Sequence, residues 1–257
     1  MRTAQAIELK EKPPALLIAA HGEIGGGAQN TTLFALTRNV RAHLGGLPVA
    51  CGVLNGEPSL DTAFAGLAGD RALIYPLFMS GGHCVENALP ERLGLANKSN
   101  ADGRKVTILP PLGLDPALTA LIGRRVRDAV AANPHSMAGT SILVIAHGSE
   151  RNPQSRLATE AFANALRRHL KTRPVRTAYL EDTPFAEDAV AALAAHSVVV
   201  SFFAGEGSHG GEDVPRLLAD AGKLHVPVIG PVGADPRIAD LVVAAVRHEL
   251  AGELSAA

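Results

Sequence analysis

An α/β fold built from two similar halves is what the sequence predicts, each half a four-stranded, mainly parallel sheet flanked by helices. Three observations carry the prediction. First, apolar and largely β-branched runs alternate with helical patterns along nearly all of the 257 residues, the signature of βαβ units. Second, the phrase Ile142-Leu-Val-Ile-Ala-His147-Gly-Ser is preceded, 126 residues earlier, by Leu16-Leu-Ile-Ala-Ala-His21-Gly-Glu. Third, an ordered series of pairs keeps a similar offset: His83 and His209 at 126, Pro90 and Pro215 at 125, Glu57 and Glu181 at 124, Asp115 and Asp235 at 120. A series of this kind across each half indicates tandem duplication.

The elements follow in order. Residues 1–14 are polar, lack a signal-peptide core and read as a leader. A first domain spans 15–130. Its strands are expected at 15–20, 49–54, 72–78 and 106–112, and uninterrupted apolar runs of this length are buried on both faces in parallel sheets. Leu33, Leu36, Val40 and Leu44 make a helical stripe over 31–44. Gly113-Leu-Asp-Pro116 opens the last helix of this half, with Asp115 as N-cap and Pro116 at the first helical position. Residues 131–140, small and polar with Asn133-Pro134 as a helix stop, read as the linker. The second domain, 141–257, repeats the plan. Its strands are expected at 142–146, 175–180, 198–203 and 226–232. Its first helix runs from Gln154 to Leu170, and its last carries Ile238, Leu241, Val242, Val246 and Leu250 after the Gly233-Ala-Asp-Pro236 turn.

Composition excludes several function classes. A net charge of −1 gives no electrostatic case for nucleic acid or an anionic membrane surface. No apolar run reaches the ~18 residues of a membrane span. Two cysteines, Cys51 and Cys84, fit a reducing cytosol rather than a disulfide framework, so a cytoplasmic protein is expected. Gly25-Gly-Gly27 lacks the spacing of a phosphate-binding loop.

The chemistry lies at the strand ends, where open α/β sheets bind ligands. His21 and His147 follow the first strand of each half directly. His83 and His209 come after the third strand, 62 residues further on in both halves. Glu57 and Glu181 follow the second strand. Each half thus offers two imidazoles and a carboxylate, a common open site for a borderline divalent ion. The remaining histidines, including His43 and His169, read as surface residues without a repeat partner, and Cys84 as incidental.

At these residues the chain resembles the class II tetrapyrrole chelatases, the sirohydrochlorin cobaltochelatases and their ferrochelatase relatives. The motifs that match are the strand-His-Gly-Ser at 142–149, the Gly- and His-bearing run at 199–215, the Gly-x-Asp-Pro helix start, and the first-half copies of each. The likeness is to the long form, with two repeats in one chain. It implies two chelatase-type domains facing each other across a cleft that takes the macrocycle. It also implies that paired histidines bind the metal: His147 and His209 with Glu181, and in the other half His21 and His83 with Glu57. The metal would be a substrate, Co2+ foremost and Fe2+ or Ni2+ otherwise, with no organic cofactor. Sirohydrochlorin would be the partner, held at its acidic side chains by Arg151, with Arg156 and Lys171 as weaker candidates. The chain would be a monomer or weak homo-oligomer serving cobalamin biosynthesis. The first half departs from the pattern in reading His21-Gly-Glu-Ile24, in carrying Asn87 for Asp213, and in placing Pro90 seven positions after His83 where Pro215 is six after His209. Catalysis is therefore expected in the second half. The alternatives are a ferrochelatase of the siroheme branch, a metal or tetrapyrrole carrier without turnover, and a phosphate-handling protein with incidental histidines.

Overall fold

The computed structural model describes residues 14–23, 29–95, 100–101, 103–132, 137–150, 152–171 and 175–256. Nearly all of the expected leader, residues 133–136 of the expected linker and Arg151 lie outside the described residues.

The first half runs β1 (Ala15–Ala20), α1 (Thr31–His43), β2 (Val49–Val53), α2 (Leu60–Ala65), β3 (Arg71–Pro76), α3 (Leu89–Arg92), β4 (Asn100–Ala101), β5 (Arg104–Ile108) and α4 (Pro116–Ala131). The second runs β6 (Ser141–Ala146), α5 (Gln154–Leu170), β7 (Arg176–Tyr179), α6 (Ala186–Ala191), β8 (Ser197–Ser201), α7 (Val214–Asp220), β9 (Val228–Ile229) and α8 (Ile238–Ala256). The sheet orders are β2-β1-β3-β5-β4 and β7-β6-β8-β9. Every pair is parallel except β4–β5, a two-residue antiparallel edge that the sequence pattern does not reveal. The fourth strand of each half is shorter than its apolar run. Pro110 and Pro111 follow β5, and Pro227 and Pro231 flank β9. Proline has no N–H to donate to a ladder, so pairing stops there.

Alternate residues of each central strand face opposite layers. Leu16 and Ile18 of β1 and Ile142 and Val144 of β6 join one core with α1, α4, α5 and α8. Leu17 and Ala19 face α2 and α3, and Leu143 and Ile145 face α6 and α7. The middle layer is therefore four helices shared by both halves, with α1 against α8 and α4 against α5. The first helix of one half meets the last helix of the other, as an internal twofold relation requires. The relation extends to single bonds. Arg247 donates to the carbonyl of His43 at 3.2 Å, and Arg127 donates to that of His169 at 3.1 Å. Each places a cation at the C-terminus of the opposite half's first helix, where the dipole favours it. His43 and His169 are thus repeat partners at the seam. Gly123 lets α4 approach α5 closely, since a Cβ there would stand 2.5 Å from His169 Cδ2.

Candidate metal centre

The C-terminal ends of β1 and β6 carry the first histidines into tight turns. Gly148 follows His147 with φ +74°, and a Cβ there would stand 2.6 Å from the Tyr179 Cβ. Gly22 follows His21 with φ +96° and is pressed against the Asn55 carbonyl. Only glycine meets both demands at either turn.

In the second half, the His147 carbonyl accepts the Glu181 N–H at 2.9 Å, which brings the end of the second strand beside the imidazole. His147 Nδ1 lies 2.9 Å from the Gly148 carbonyl and 3.6 Å from Glu181 Oε2. A carbonyl only accepts, so the contact with Gly148 calls for a proton on Nδ1. Both side chains reach solvent, His147 at 41% and Glu181 at 60% exposure, so an ion can approach them. The turn behind them is clamped. Arg156 pairs with the buried Asp182, donates to the Thr183 carbonyl at 2.6 Å and lies over the Tyr179 ring. Arg156 is thereby engaged within its own half.

The first half has the same backbone and different chemistry. The His21 carbonyl accepts the Asn55 N–H at 3.0 Å, as that of His147 accepts Glu181. Bridges Val53–Ser59 and Tyr179–Phe185 fix the correspondence. Asn55 therefore matches Glu181, and Glu57 matches Thr183. The sequence pairing of Glu57 with Glu181 is displaced by two residues. Glu57 Oε2 accepts the Ser59 N–H at 2.9 Å and serves its own turn. The neighbour of His21 is the Asn55 amide, with Nδ2 3.4 Å from His21 Nε2, so a neutral donor faces the lone pair.

The second histidines are shifted as well. β1 pairs Ala15 with Ala72 and β6 pairs Ser141 with Ser197, so the halves differ by one residue from β3 onward. The Gly82 carbonyl accepts the N–H groups of Val85 and Glu86, and the Gly207 carbonyl accepts those of Gly210 and Gly211. Each set starts a π-helical turn, Cys84–Ala88 or Ser208–Asp213. Counting from these carbonyls, the place of His209 is taken in the first half by Cys84, and His83 matches Ser208. Cys84 is a half-buried thiol whose burial pushes its pKa up, which disfavours the thiolate that binds metals. His83 is exposed.

Among the described residues, no three His, Cys, Asp or Glu side chains gather as a metal cage. The first-half set of His21, His83 and Glu57 is described and does not assemble. In the second half His147 and Glu181 come together, and His209 is placed by its backbone alone. The signal that separates the halves was present in the sequence: Pro58 and Pro184 lie 126 apart, which aligns Glu181 with Asn55.

Comparison with known proteins agrees with this architecture. The CbiX family model matches residues 15–129 and again 141–249. A curated relative, the probable sirohydrochlorin cobaltochelatase of Halobacterium salinarum, is 25% identical over 179 residues, 62% of this chain and 61% of that protein. The match thus spans less than two thirds of that relative's length. Among solved structures, the chain is 32% identical to CbiX, the terminal enzyme for siroheme biosynthesis in denitrifying bacteria, with a TM-score of 0.75 over 91% of this chain and 98% of that one. Bacillus subtilis SirB, solved in complex with cobalt, shares the fold at 17% identity, with a TM-score of 0.67 over 92% of this chain and 94% of that one. The duplicated α/β architecture and the two-repeat match are those of the class II chelatases. Within that class, the chain belongs to the CbiX family.

Proposed function

We propose that the chain inserts a divalent metal ion into sirohydrochlorin, and that the second half holds the ion between His147, Glu181 and His209. The observation that carries this reading is the pairing of His147 with a carboxylate where the first half pairs His21 with an amide. An imidazole and a carboxylate bind a borderline divalent ion and leave coordination positions open for pyrrole nitrogens. Insertion exchanges two N–H protons of the macrocycle for the ion. Glu181 is an acceptor for one of these protons, and an imidazole released from the ion is an acceptor for the other. The Arg156–Asp182 clamp holds Glu181 within reach of His147 while this happens. The macrocycle lies in the cleft between the halves, and Arg151, four residues past His147, pairs with a substrate carboxylate. The donor set calls for no organic cofactor.

Cobalt and iron both suit these ligands, because affinity order alone does not set selectivity. Cobalt is favoured by the Halobacterium relative, and iron, hence a siroheme role, by the 32% identical CbiX structure. Metallation of sirohydrochlorin is followed by its visible spectrum with protein at one-fiftieth of the substrate, or about that, and with Co(II) or Fe(II) supplied separately. Multiple turnovers with either ion support the reading and identify the metal. A spectral change that stops at one equivalent of protein would mark a carrier, and no acceleration with either ion would end the proposal.

A further inference from the structure

The departure at the first histidine motif, Glu23 in place of serine, has a structural role that the ion site does not absorb. Glu23 Oε2 accepts the N–H groups of Asn30 at 2.8 Å and Gln29 at 3.2 Å. In return the Glu23 N–H donates to Asn30 Oδ1 at 3.0 Å, and Asn30 Nδ2 donates to the Glu57 carbonyl at 2.9 Å. These bonds close a clasp just after His21. The counterpart of Glu23 in the second half is Ser149, whose hydroxyl accepts the Asn152 N–H at 3.3 Å.

The clasp abuts the other half. A Cβ on Gly207 would stand 3.7 Å from Glu23 Cγ. Gly207 is also the residue whose carbonyl receives the N–H groups of Gly210 at 3.0 Å and Gly211 at 2.9 Å, the bonds that start the turn containing His209. The arrangement is reciprocal. A Cβ on Gly82, which anchors the turn after His83, would stand 3.3 Å from Gln154 Cβ and 3.4 Å from Asn152 Nδ2. Each second-histidine turn is thus seated against the loop that follows the first histidine of the opposite half. The second-half turn carries Gly210 and Gly211 because the chain folds tightly on itself: a Cβ at Gly211 would stand 2.5 Å from the Glu206 carbonyl oxygen. Glycine-rich backbone has little side-chain packing of its own to fix it.

We infer that Glu23 is a positioning residue for His209, acting across the seam through Gly207, so that the ion centre of the second half is completed by the first. The inference rests on the proposed function for its catalytic consequence, while the contact itself is tested without turnover. Groups that orient a metal ligand from outside typically contribute 10–100-fold in metal affinity.

The experiment compares Glu23→Ala and Glu23→Gln in the full chain by two readouts. Amide hydrogen exchange at Gly210 and Gly211 reports the seating of the turn. Steady-state metallation with Co(II) and sirohydrochlorin reports its consequence, with His209→Ala as control. In Glu23→Ala, exchange at both glycines accelerates and the KM for Co(II) rises about tenfold, with the KM for the macrocycle within about twofold of wild type. Glu23→Gln restores both readouts, since its amide oxygen accepts the same two N–H groups. Unchanged exchange at Gly210 and Gly211 in Glu23→Ala overturns the inference, as does a Glu23→Gln protein as impaired as the alanine variant. Accelerated exchange with an unaltered KM for Co(II), when His209→Ala is defective, also overturns it. A His209→Ala protein with wild-type metal kinetics removes the proposed ion site instead, and the exchange data then decide the contact alone.

Discussion

At the residue scale, the halves differ most plainly beside the first histidine. Glu181 stands 3.6 Å from His147 Nδ1, while Asn55 occupies the matching backbone position beside His21. The side chain of Glu181 is mostly in solvent, so its replacement removes chemistry without removing packing. Glu181→Asn, which copies the first half, is expected to lower kcat/KM for the metal by about 10²-fold, in the range of a lost proton acceptor. Its melting temperature should stay at the wild-type value, and a variant with undiminished kcat/KM would shift the proton acceptor elsewhere. His21 and His147 were legible because a histidine directly after a buried strand is a pattern of adjacent residues. Glu57 and His83 were not placed correctly, because offsets drift by one or two residues between repeats. Within a tight turn such a shift gives each position a different neighbour. Glu57 also resembled a ligand while serving the Ser59 N–H, and only the Pro58–Pro184 spacing separates it from the place of Glu181.

The helices show what each element contributes to holding the halves together. Asp235 accepts the Arg237 N–H at 3.0 Å near the start of α8, and the Arg237 guanidinium at 2.9 Å. It also lies 3.5 Å from Arg125 of α4. The Arg237 hydrogen bond is the main cause that holds the Asp235 carboxyl below the usual carboxylate range, against the opposing effect of its burial; Arg125 adds to it. A carboxylate with a lowered folded-state pKa contributes stability above its unfolded pKa and loses it as pH falls through the folded value. Part of the acid destabilisation below about pH 4 therefore belongs to Asp235. Asp235→Asn keeps the capping oxygen and should flatten that part of the curve in thermal melts between about pH 5 and 2.5. An acid limb identical to wild type would show that the cross-helix pair contributes nothing measurable. The Gly-x-Asp-Pro signal announced Asp115 as the cap of α4, since capping is local in sequence; at Asp235 it marks a turn, and α8 starts at Ile238 rather than at Pro236. Their counterpart, the tie from Asp235 to Arg125, spans two halves and leaves no local trace.

At the scale of the whole molecule, the duplication was readable from ordered offsets, and with it the parallel sheets. How the halves pack was not. Apolar stripes on 31–44 and 154–170 say that each helix is buried on one face, yet not against which partner. The structure answers with a shared layer of four helices whose ends are capped from across the seam. Among the described residues no helix is long and apolar enough to cross a membrane. Sharing one core allows the halves to diverge chemically while keeping a common frame. The most direct test is anomalous scattering at the cobalt edge from crystals of the chain loaded with Co(II). A peak bounded by His147, Glu181 and His209 is the expected result. A peak beside His21 and His83, with none at His147, would contradict it.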